Sequence, residues 1–292
     1  MATFIGTAAD ETITTALVSP TVTTSGAALP GLDPDTINAG GGNDTIDAGG
    51  GNDTIRAGAG NDIVRGGTGS DTVFLGDGDD VFTWFPGDGS DVIEGKGGVD
   101  LLDFSGSNIS ETIDISASGS RVRFARDVAA IAMDLAGMES LSFRALGGVD
   151  TIVVNDLTGT DVNRVLINLE GTPGSGLGDG AADAARVCGT ASDDAITVSS
   201  AGTTAKVKGL AWSVEISNFE SIDQLQVNGD DGDDVIRAGA VGLNALSLAL
   251  DGGLGDDSLL GSVNADVLIG GAGRDRVEGG KGADIALLGI AS

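Results

Sequence analysis

Histidine and tyrosine are both absent from this 292-residue chain, and cysteine occurs only once, at Cys188. Without histidine, and with a single thiol, the chain cannot assemble a zinc ligand set or a Ser-His or Cys-His catalytic pair. One cysteine also excludes an internal disulfide. No apolar run approaches the ~18 residues that a membrane-spanning helix needs. We therefore expect no zinc site, no membrane insertion and none of the common nucleophilic triads.

Aromatic side chains are scarce as well, with eight Phe and two Trp. Glycine, by contrast, contributes 50 residues, more than twice its usual share of ~7%. A compact core in a chain of this length normally contains more aromatic area. The composition instead favours a thin core built from many short Ile, Val, Leu and Ala side chains.

The charge is almost entirely of one sign: 44 acidic and 15 basic residues give a formal net charge of −29. A field of that sign repels nucleic acids and anionic membrane surfaces, so neither is an expected partner. Disorder is disfavoured because 40% of the residues are hydrophobic. A merely soluble or halophilic surface would scatter its acids along the chain, and these acids are periodic.

The acidic residues recur every nine positions in two arrays. Two positions after each acid stands an apolar residue, such as Ile37 or Ile46, and before it lies a glycine-rich turn, as in AGGGNDTID (39–47) and GGAGRDRVE (270–278). A two-residue insertion near Pro86 interrupts the first array. The periodic acids are Asp35, Asp44, Asp53, Asp62, Asp71, Asp80, Asp91 and Asp100, and then Asp257, Asp266, Asp275 and Asp284.

This pattern matches the nonapeptide G-G-x-G-x-D-x-U-x, in which U is a large apolar residue. The chain therefore resembles the repeats-in-toxin (RTX, haemolysin-type) calcium-binding family. The resemblance implies an all-β fold, a right-handed parallel β-roll or β-solenoid that we expect to form one elongated rod. Each nonapeptide supplies one turn and one strand, so that turns eighteen residues apart stack on the same side.

The resemblance further implies that several calcium ions sit between stacked turns, shared by two carboxylates and by backbone carbonyls. Calcium takes six to eight hard oxygen ligands, and glycine lets the backbone turn its carbonyls onto a cation. The alternative is that the Asp residues only cap turns, but stacked carboxylates without a cation would repel one another. The expected ligands are the carboxylates of Asp44, Asp53, Asp62, Asp71, Asp80, Asp91, Asp257, Asp266, Asp275 and Asp284, less securely Asp35, Asp100, Asp150 and Asp234, and the carbonyls of Gly40, Gly42, Gly49, Gly51, Gly58, Gly60, Gly67, Gly69, Gly78, Gly253, Gly255, Gly271, Gly273, Gly280 and Gly282.

The segment between the arrays reads as a degenerate solenoid of short alternating strands. Predicted strands lie at 112–116, 121–124, 151–154, 165–169, 195–198 and 225–227, and 106–116 aligns with 189–199 as part of an internal duplication. The turns GTAADE (6–11), GSNISE (106–111) and GTASDD (189–194) lack the inner glycines, so they are not expected to bind calcium. Segments 16–33 and 171–186 read as surface loops. We divide the chain into 1–104 with the first array, 105–228 without full repeats, and 229–292 with the second array.

These features predict a secreted, non-catalytic structural protein whose fold depends on calcium. Relatives in the resembling family carry such repeats beside protease, lipase or epimerase domains, but no H-E-x-x-H or G-x-S-x-G motif occurs here. The first residues have no signal-peptide pattern, and the resemblance implies type I export to the exterior or cell surface. We expect self-association, head to tail into an oligomer or filament, through Ile5 and Ile13 at one end and Ile285, Leu287 and Leu288 at the other. The sequence leaves open an adhesin-like protein with a glycan ligand, or a monomeric extracellular calcium-binding protein.

Overall fold

The computed structural model describes residues 1–238 and 246–289. The chain folds into two compact units, each assembled from several segments. The first unit comprises Met1–Gly106, Ser118–Phe143 and Gly159–Val162, and the second comprises Ser107–Ala117, Arg144–Thr158 and Asn163–Ser292. Our division into three sequence segments stays a prediction.

Short β-strands make up nearly all of the regular structure, and the described residues include a single 3₁₀ turn at Val128–Ala130. The first strands are β1 (Thr3–Ile5), β2 (Thr12–Ile13), β3 (Thr23–Ser25), β4 (Thr36–Gly41), β5 (Thr45–Asp47), β6 (Thr54–Ala59), β7 (Ile63–Arg65), β8 (Thr72–Asp77), β9 (Val81–Trp84), β10 (Val92–Gly97), β11 (Leu101–Ser105), β12 (Thr112–Ser118), β13 (Arg121–Arg126) and β14 (Ile131–Ala136). The remaining strands are β15 (Ser140–Arg144), β16 (Thr151–Val154), β17 (Arg164–Asn168), β18 (Ala184–Cys188), β19 (Ala195–Ala201), β20 (Thr204–Lys208), β21 (Ser213–Ser217), β22 (Gln224–Asn228), β23 (Val235–Arg237), β24 (Ser247–Asp251), β25 (Ser258–Leu260), β26 (Asp266–Ile269), β27 (Arg276–Glu278) and β28 (Ile285–Leu287).

In the first unit, consecutive strands of the array alternate between two parallel sheets. One sheet pairs β4, β6, β8 and β10, and the other pairs β5, β7, β9 and β11. The register places Ile37 beside Ile55 and Ile55 beside Val73, eighteen residues apart in each case. One nonapeptide therefore supplies one turn and one strand, and two nonapeptides complete a coil. This arrangement confirms the all-β roll expected from the period.

The second unit repeats this alternation with less regular spacing. One of its sheets runs in the order β28-β26-β24-β22-β18-β16-β12, with parallel pairing between the neighbours. In the other sheet, β23 pairs in parallel with β19 and β25, and β27 follows β25. The strands predicted between the arrays all occur, within a few residues of their expected bounds.

The apolar residue two positions after each acid of the first array forms the core. All of these side chains are at most 2% exposed: Ile37, Ile46, Ile55, Val64, Val73, Phe82, Ile93 and Leu102. In the second array Leu259 and Leu268 are equally buried. Val277 is half-buried and Ala286 is exposed, so the last repeats enclose less apolar surface.

Aromatic side chains thicken the core of the first unit where the array meets strands from outside it. Trp84 stacks on Phe104 with 4.0 Å between ring centroids. Phe124 of β13 and Phe143 of β15 pack against Phe104 at 4.6 and 6.2 Å. Four of the ten aromatic residues are thus gathered in one cluster.

Some strands run antiparallel to their neighbours, which a purely parallel solenoid would not contain. In the first unit β13 pairs antiparallel with β14, and β1 with β3. In the second, β20 pairs antiparallel with both β19 and β21. Gly202, with a φ of 60°, lies in the two-residue link between β19 and β20, and so short a link joins only antiparallel strands. The second copy of the internal duplication, which begins at residue 189, thus contains a β-hairpin formed by β19 and β20.

Both segments predicted to be surface loops contain a strand. Within 16–33, β3 pairs with β1, and the Ser19 N–H donates to the Thr12 carbonyl, so that the segment folds back over β1 and β2. Ile13, which we expected at an exposed end, is fully buried. In the segment 171–186, only the last three residues belong to a strand, the start of β18. Among the described residues no helix is long and apolar enough to cross a membrane.

Candidate metal sites

The acids of the first array form two columns, one on each edge of the sheets. In each column the backbone N–H of one acid donates to a carboxylate oxygen of the acid one coil further on. The Asp44 N–H donates to Asp62 Oδ1 at 2.8 Å, and the Asp62 N–H donates to Asp80 Oδ1 at 2.7 Å. The first column contains Glu11, Asp44, Asp62, Asp80, Asp100 and Glu139, and the second contains Asp35, Asp53, Asp71 and Asp91.

The second unit has columns of the same kind. The Asp234 N–H donates to Asp257 Oδ1 at 2.8 Å, and the Asp257 N–H donates to Asp275 Oδ1 at 3.1 Å. Another column contains Asp150, Asp183 and Asp223, whose spacing along the chain is not a multiple of nine because insertions separate them. The columns are Asp194–Asp234–Asp257–Asp275, Glu111–Asp150–Asp183–Asp223 and the pair Asp266–Asp284.

One oxygen of most column carboxylates is buried and has no hydrogen-bond partner. Asp62 illustrates the arrangement: it is 1% exposed, its Oδ1 accepts the Asp44 N–H, and its Oδ2 has no partner. An unsatisfied buried carboxylate oxygen is costly. The residues with such an oxygen are Glu11, Asp44, Asp53, Asp62, Asp71, Asp80, Asp91, Asp100, Asp150, Asp234 and Asp257.

Burial and crowding raise the pKa of the aspartates among these residues. Burial raises the pKa of Asp62 from its ordinary value of 3.8 to about 7, and the like charges of Asp80 and Asp44 add to the effect. The pKa of Asp53 and that of Asp71 rise to about 7 for the same reasons. The raised pKa values mean that the charged form of these carboxyls is disfavoured without a metal, and a bound cation would stabilise that charged form.

The turn glycines bring backbone carbonyls close to the neighbouring turn. Gly58 and Gly60 have φ values of 128° and 127°, and a Cβ on either would collide with the carbonyl oxygen of Gly40 or Gly42, one coil earlier. Only glycine combines that backbone conformation with so close an approach. Every glycine that we expected to contribute a carbonyl has a positive φ.

These features fit calcium. A cation between two stacked turns would be held by two carboxylates and by glycine carbonyls, a set of hard oxygens of the kind that calcium prefers. Within the described part of the chain, no three Asp, Glu, His or Cys side chains converge on one point. Backbone carbonyls must therefore supply most of the ligands, and the role of each residue as a ligand stays a prediction.

Four of the expected ligands differ from the rest. Both oxygens of Asp266 accept hydrogen bonds from Ser262 of its own turn, and Oδ2 of Asp35 accepts the N–H of Gly31 at 3.3 Å. The carboxylates of Asp275 and Asp284 stand in columns but are half-buried. Sequence reasoning also missed column members, of which Asp183 and Asp223 are nearly fully buried. The signal for these two was an apolar residue two positions later, Ala185 and Leu225, outside the nine-residue phase.

The comparison with protein families agrees with this geometry. The RTX calcium-binding nonapeptide repeat matches in four copies, at residues 31–64, 48–82, 226–240 and 251–286. No curated protein matches the chain. Calcium is the ion that such repeats bind, and four copies provide for several ions. The matched segments contain just over half of the column acids and every glycine expected to contribute a carbonyl, and the chain therefore carries RTX calcium-binding nonapeptide repeats.

Proposed function

We propose that this chain is a secreted, non-catalytic structural protein whose two arrays fold when calcium binds. The observation that carries the proposal is the column of buried carboxylates whose second oxygens have no partner, as at Asp53, Asp62 and Asp71. Calcium would satisfy these oxygens and cancel the repulsion along each column.

Without calcium, two unfavourable terms oppose folding of the arrays. The formal net charge is −29, and twelve of the 44 acids are stacked in the periodic turns. Each strand of the first array contributes only one or two apolar side chains to the core, such as Ile55 and Ala57 of β6. A thin core offsets chain entropy poorly. The free energy of calcium binding then becomes free energy of folding.

Export fits the same scheme. RTX repeat proteins typically leave the cell by type I secretion, which passes unfolded chains. Extracellular calcium modules bind at ~10⁻⁴–10⁻³ M. Arrays with affinities in that range would stay unfolded inside the cell and fold outside it.

Backbone NMR of the full chain tests calcium gating. In calcium-free buffer at pH 8 we expect the array amides to lose the dispersion typical of β-structure, and millimolar calcium to restore it. Magnesium at the same concentration is the control for ionic strength and should not restore it. Full β dispersion of the array amides in calcium-free buffer at pH 8 would overturn the proposal.

We further propose that the folded protein associates with copies of itself. The support is an exposed apolar strand: in β28, Ile285 and Leu287 are 56% and 53% exposed, and Leu288 beside it is 69% exposed. At the other expected surface, Ile5 is exposed and Ile13 is not. Light scattering of the calcium-bound chain should show larger species that the substitution Leu287→Ser reduces. Leu177→Ser, at an exposed loop residue, is the matched control and should change nothing. A strictly monomeric wild type at high protein concentration would rule this out.

A further inference from the structure

Most of the acidic turns fall into two classes, which differ at the residue four positions before the acid. We call this residue the second turn residue. In the first class it is Ser or Thr, and it hydrogen-bonds the acid of its own turn. Ser262 donates from both its N–H and its hydroxyl to Asp266, at 2.5 and 2.9 Å. The same N–H bond is made by Thr7 to Glu11, by Ser107 to Glu111 and by Thr190 to Asp194. At Glu11 both donors of Thr7 reach Oε1, and Oε2 is left without a partner.

In the second class the second turn residue has a positive φ, and its N–H does not reach the carboxylate. The N–H of Gly49, for example, donates to Asp47. In most such turns the second oxygen of the acid is buried without a partner, and the exceptions are the half-buried Asp275 and Asp284, which follow Gly271 and Gly280. The pairs are Gly40 and Asp44, Gly49 and Asp53, Gly58 and Asp62, Gly67 and Asp71, Gly76 and Asp80, Gly87 and Asp91, Lys96 and Asp100, Leu146 and Asp150, Asp230 and Asp234, and Gly253 and Asp257.

The turn of Asp150 belongs to the second class although it lies outside the segments that match the repeat family. Its second residue, Leu146, has a φ of 70°, and Gly148 has a φ of 118°. Leucine rarely adopts this conformation, so the surrounding structure must hold it there. Asp150 is 1% exposed, and its Oδ2 has no hydrogen-bond partner.

The surroundings of Asp150 resemble those of the array acids. Its Oδ1 accepts the Glu111 N–H at 2.8 Å, and its own N–H donates to Asp183 Oδ1 at 2.8 Å. Asp179 Oδ2 accepts the Gly148 N–H at 2.9 Å. A pocket of about 520 Å³, lined in part by Gly148 and Asp179, lies beside the turn. A cation therefore has both a negatively charged environment and a path to the turn.

We propose that Asp150, with the backbone carbonyls of its turn, binds a divalent cation of calcium's class, whereas Asp266 binds none. The reason is the second turn residue. Ser262 supplies an N–H and a hydroxyl that take the place of a cation at Asp266. Leu146 supplies neither to Asp150, whose buried oxygen is left for a metal. This inference rests on the proposed function, because it assumes that second-class turns of the arrays bind calcium.

Native mass spectrometry of the full chain at saturating calcium tests the assignment. The variants Asp150→Asn and Asp266→Asn remove the same charge from the two classes of turn. We expect the calcium count to fall by at least one in D150N and to stay at the wild-type value in D266N. An unchanged count in D150N, or a lower count in D266N, overturns the inference while the proposed function stands. A wild type that binds no calcium overturns both.

A second pair of variants keeps the test decisive if D150N does not fold. Leu146→Ser leaves Asp150 in place and supplies the hydroxyl that the first class uses, so we expect a chain with native circular dichroism and a calcium count lower by one. Ser262→Gly removes that hydroxyl from the Asp266 turn and permits a positive φ, so we expect one additional calcium. Wild-type counts in both variants, with native circular dichroism, would contradict the role of the second turn residue.

Discussion

The backbone N–H of Asp62 donates a 2.7 Å hydrogen bond to Oδ1 of Asp80, the acid that lies one coil further along the chain. This bond joins two turns and at the same time brings two carboxylates of like charge close together. The link between turns and the repulsion between charges therefore arise from the same residues.

Acid should partly replace calcium in stabilising the arrays. The pKa values of Asp53, Asp62 and Asp71 are about 7 in the metal-free fold, against 3.8 ordinarily. Between these values the folded state binds more protons than the unfolded state, so its stability rises as pH falls from 8 towards 4 and is lost as pH rises through about 7. Far-UV circular dichroism in calcium-free buffer should show β-structure gained on acidification.

The calcium-bound protein provides the contrast for this prediction. Its ligands must be deprotonated, so protons compete with the metal and calcium affinity should fall over the same pH range. Calorimetric titrations at pH 5 and pH 8 measure this. A metal-free chain that loses β-structure between pH 7 and pH 5 would contradict the raised pKa values.

Removal of a central column carboxylate should affect two neighbouring turns. Asp62 accepts the Asp44 N–H and lies next to Asp80 in the first column. We expect Asp62→Ala to reduce the calcium stoichiometry by two in calorimetry. Glu11→Ala is the matched variant at the start of the same column. The turn of Glu11, GTAADE, lacks the inner glycines that would turn carbonyls onto an ion, so the stoichiometry should be unchanged although Oε2 of Glu11 has no partner. Equal losses in the two variants would mean that the column does not share its ions between turns.

Gly58 should not tolerate a side chain. Its φ is 128°, and a Cβ would collide with the Gly40 carbonyl oxygen. Gly58→Ala should lower the free energy of unfolding by at least about 1–3 kcal/mol. At Gly41 a Cβ would lie 3.5 Å from the Ala59 carbonyl oxygen, an ordinary contact. Gly41→Ala is therefore the control, with an expected change below about 1 kcal/mol. Urea denaturation at saturating calcium measures both, and similar effects in the two variants would refute the distinction.

The aromatic cluster should be the most sensitive part of the core in the first unit. Phe104 is fully buried and contacts Trp84, Phe124 and Phe143. Phe104→Ala should cost about 3–5 kcal/mol of unfolding free energy, with Trp84 fluorescence reporting the transition. Phe85 is 43% exposed and lies over Arg65, so Phe85→Ala should cost less than about 1 kcal/mol. A cost for Phe104→Ala no larger than that of the control would show that the cluster contributes little.

The sequence by itself determined the repeating part of this protein. A period of nine with an acid, an apolar residue two positions later and a glycine-rich turn is local information, because each nonapeptide contains its own turn and strand. The pairing of Ile37 with Ile55 and of Asp44 with Asp62 follows once two nonapeptides complete a coil. The resemblance to calcium-binding repeats rested on the same residues.

Only the tertiary structure decided which acids are satisfied and which are not. Asp183 and Asp223 stand in one column with Asp150, although insertions destroy their spacing in the sequence. Asp266 keeps the nine-residue phase, yet Ser262 satisfies its carboxylate, whereas Asp150 lacks that phase and has an unpartnered oxygen. The two turns differ in the φ of the residue four positions before the acid, which is positive at Leu146 but not at Ser262. That angle depends on packing against the neighbouring turn, and the order of residues along the chain does not encode it alone.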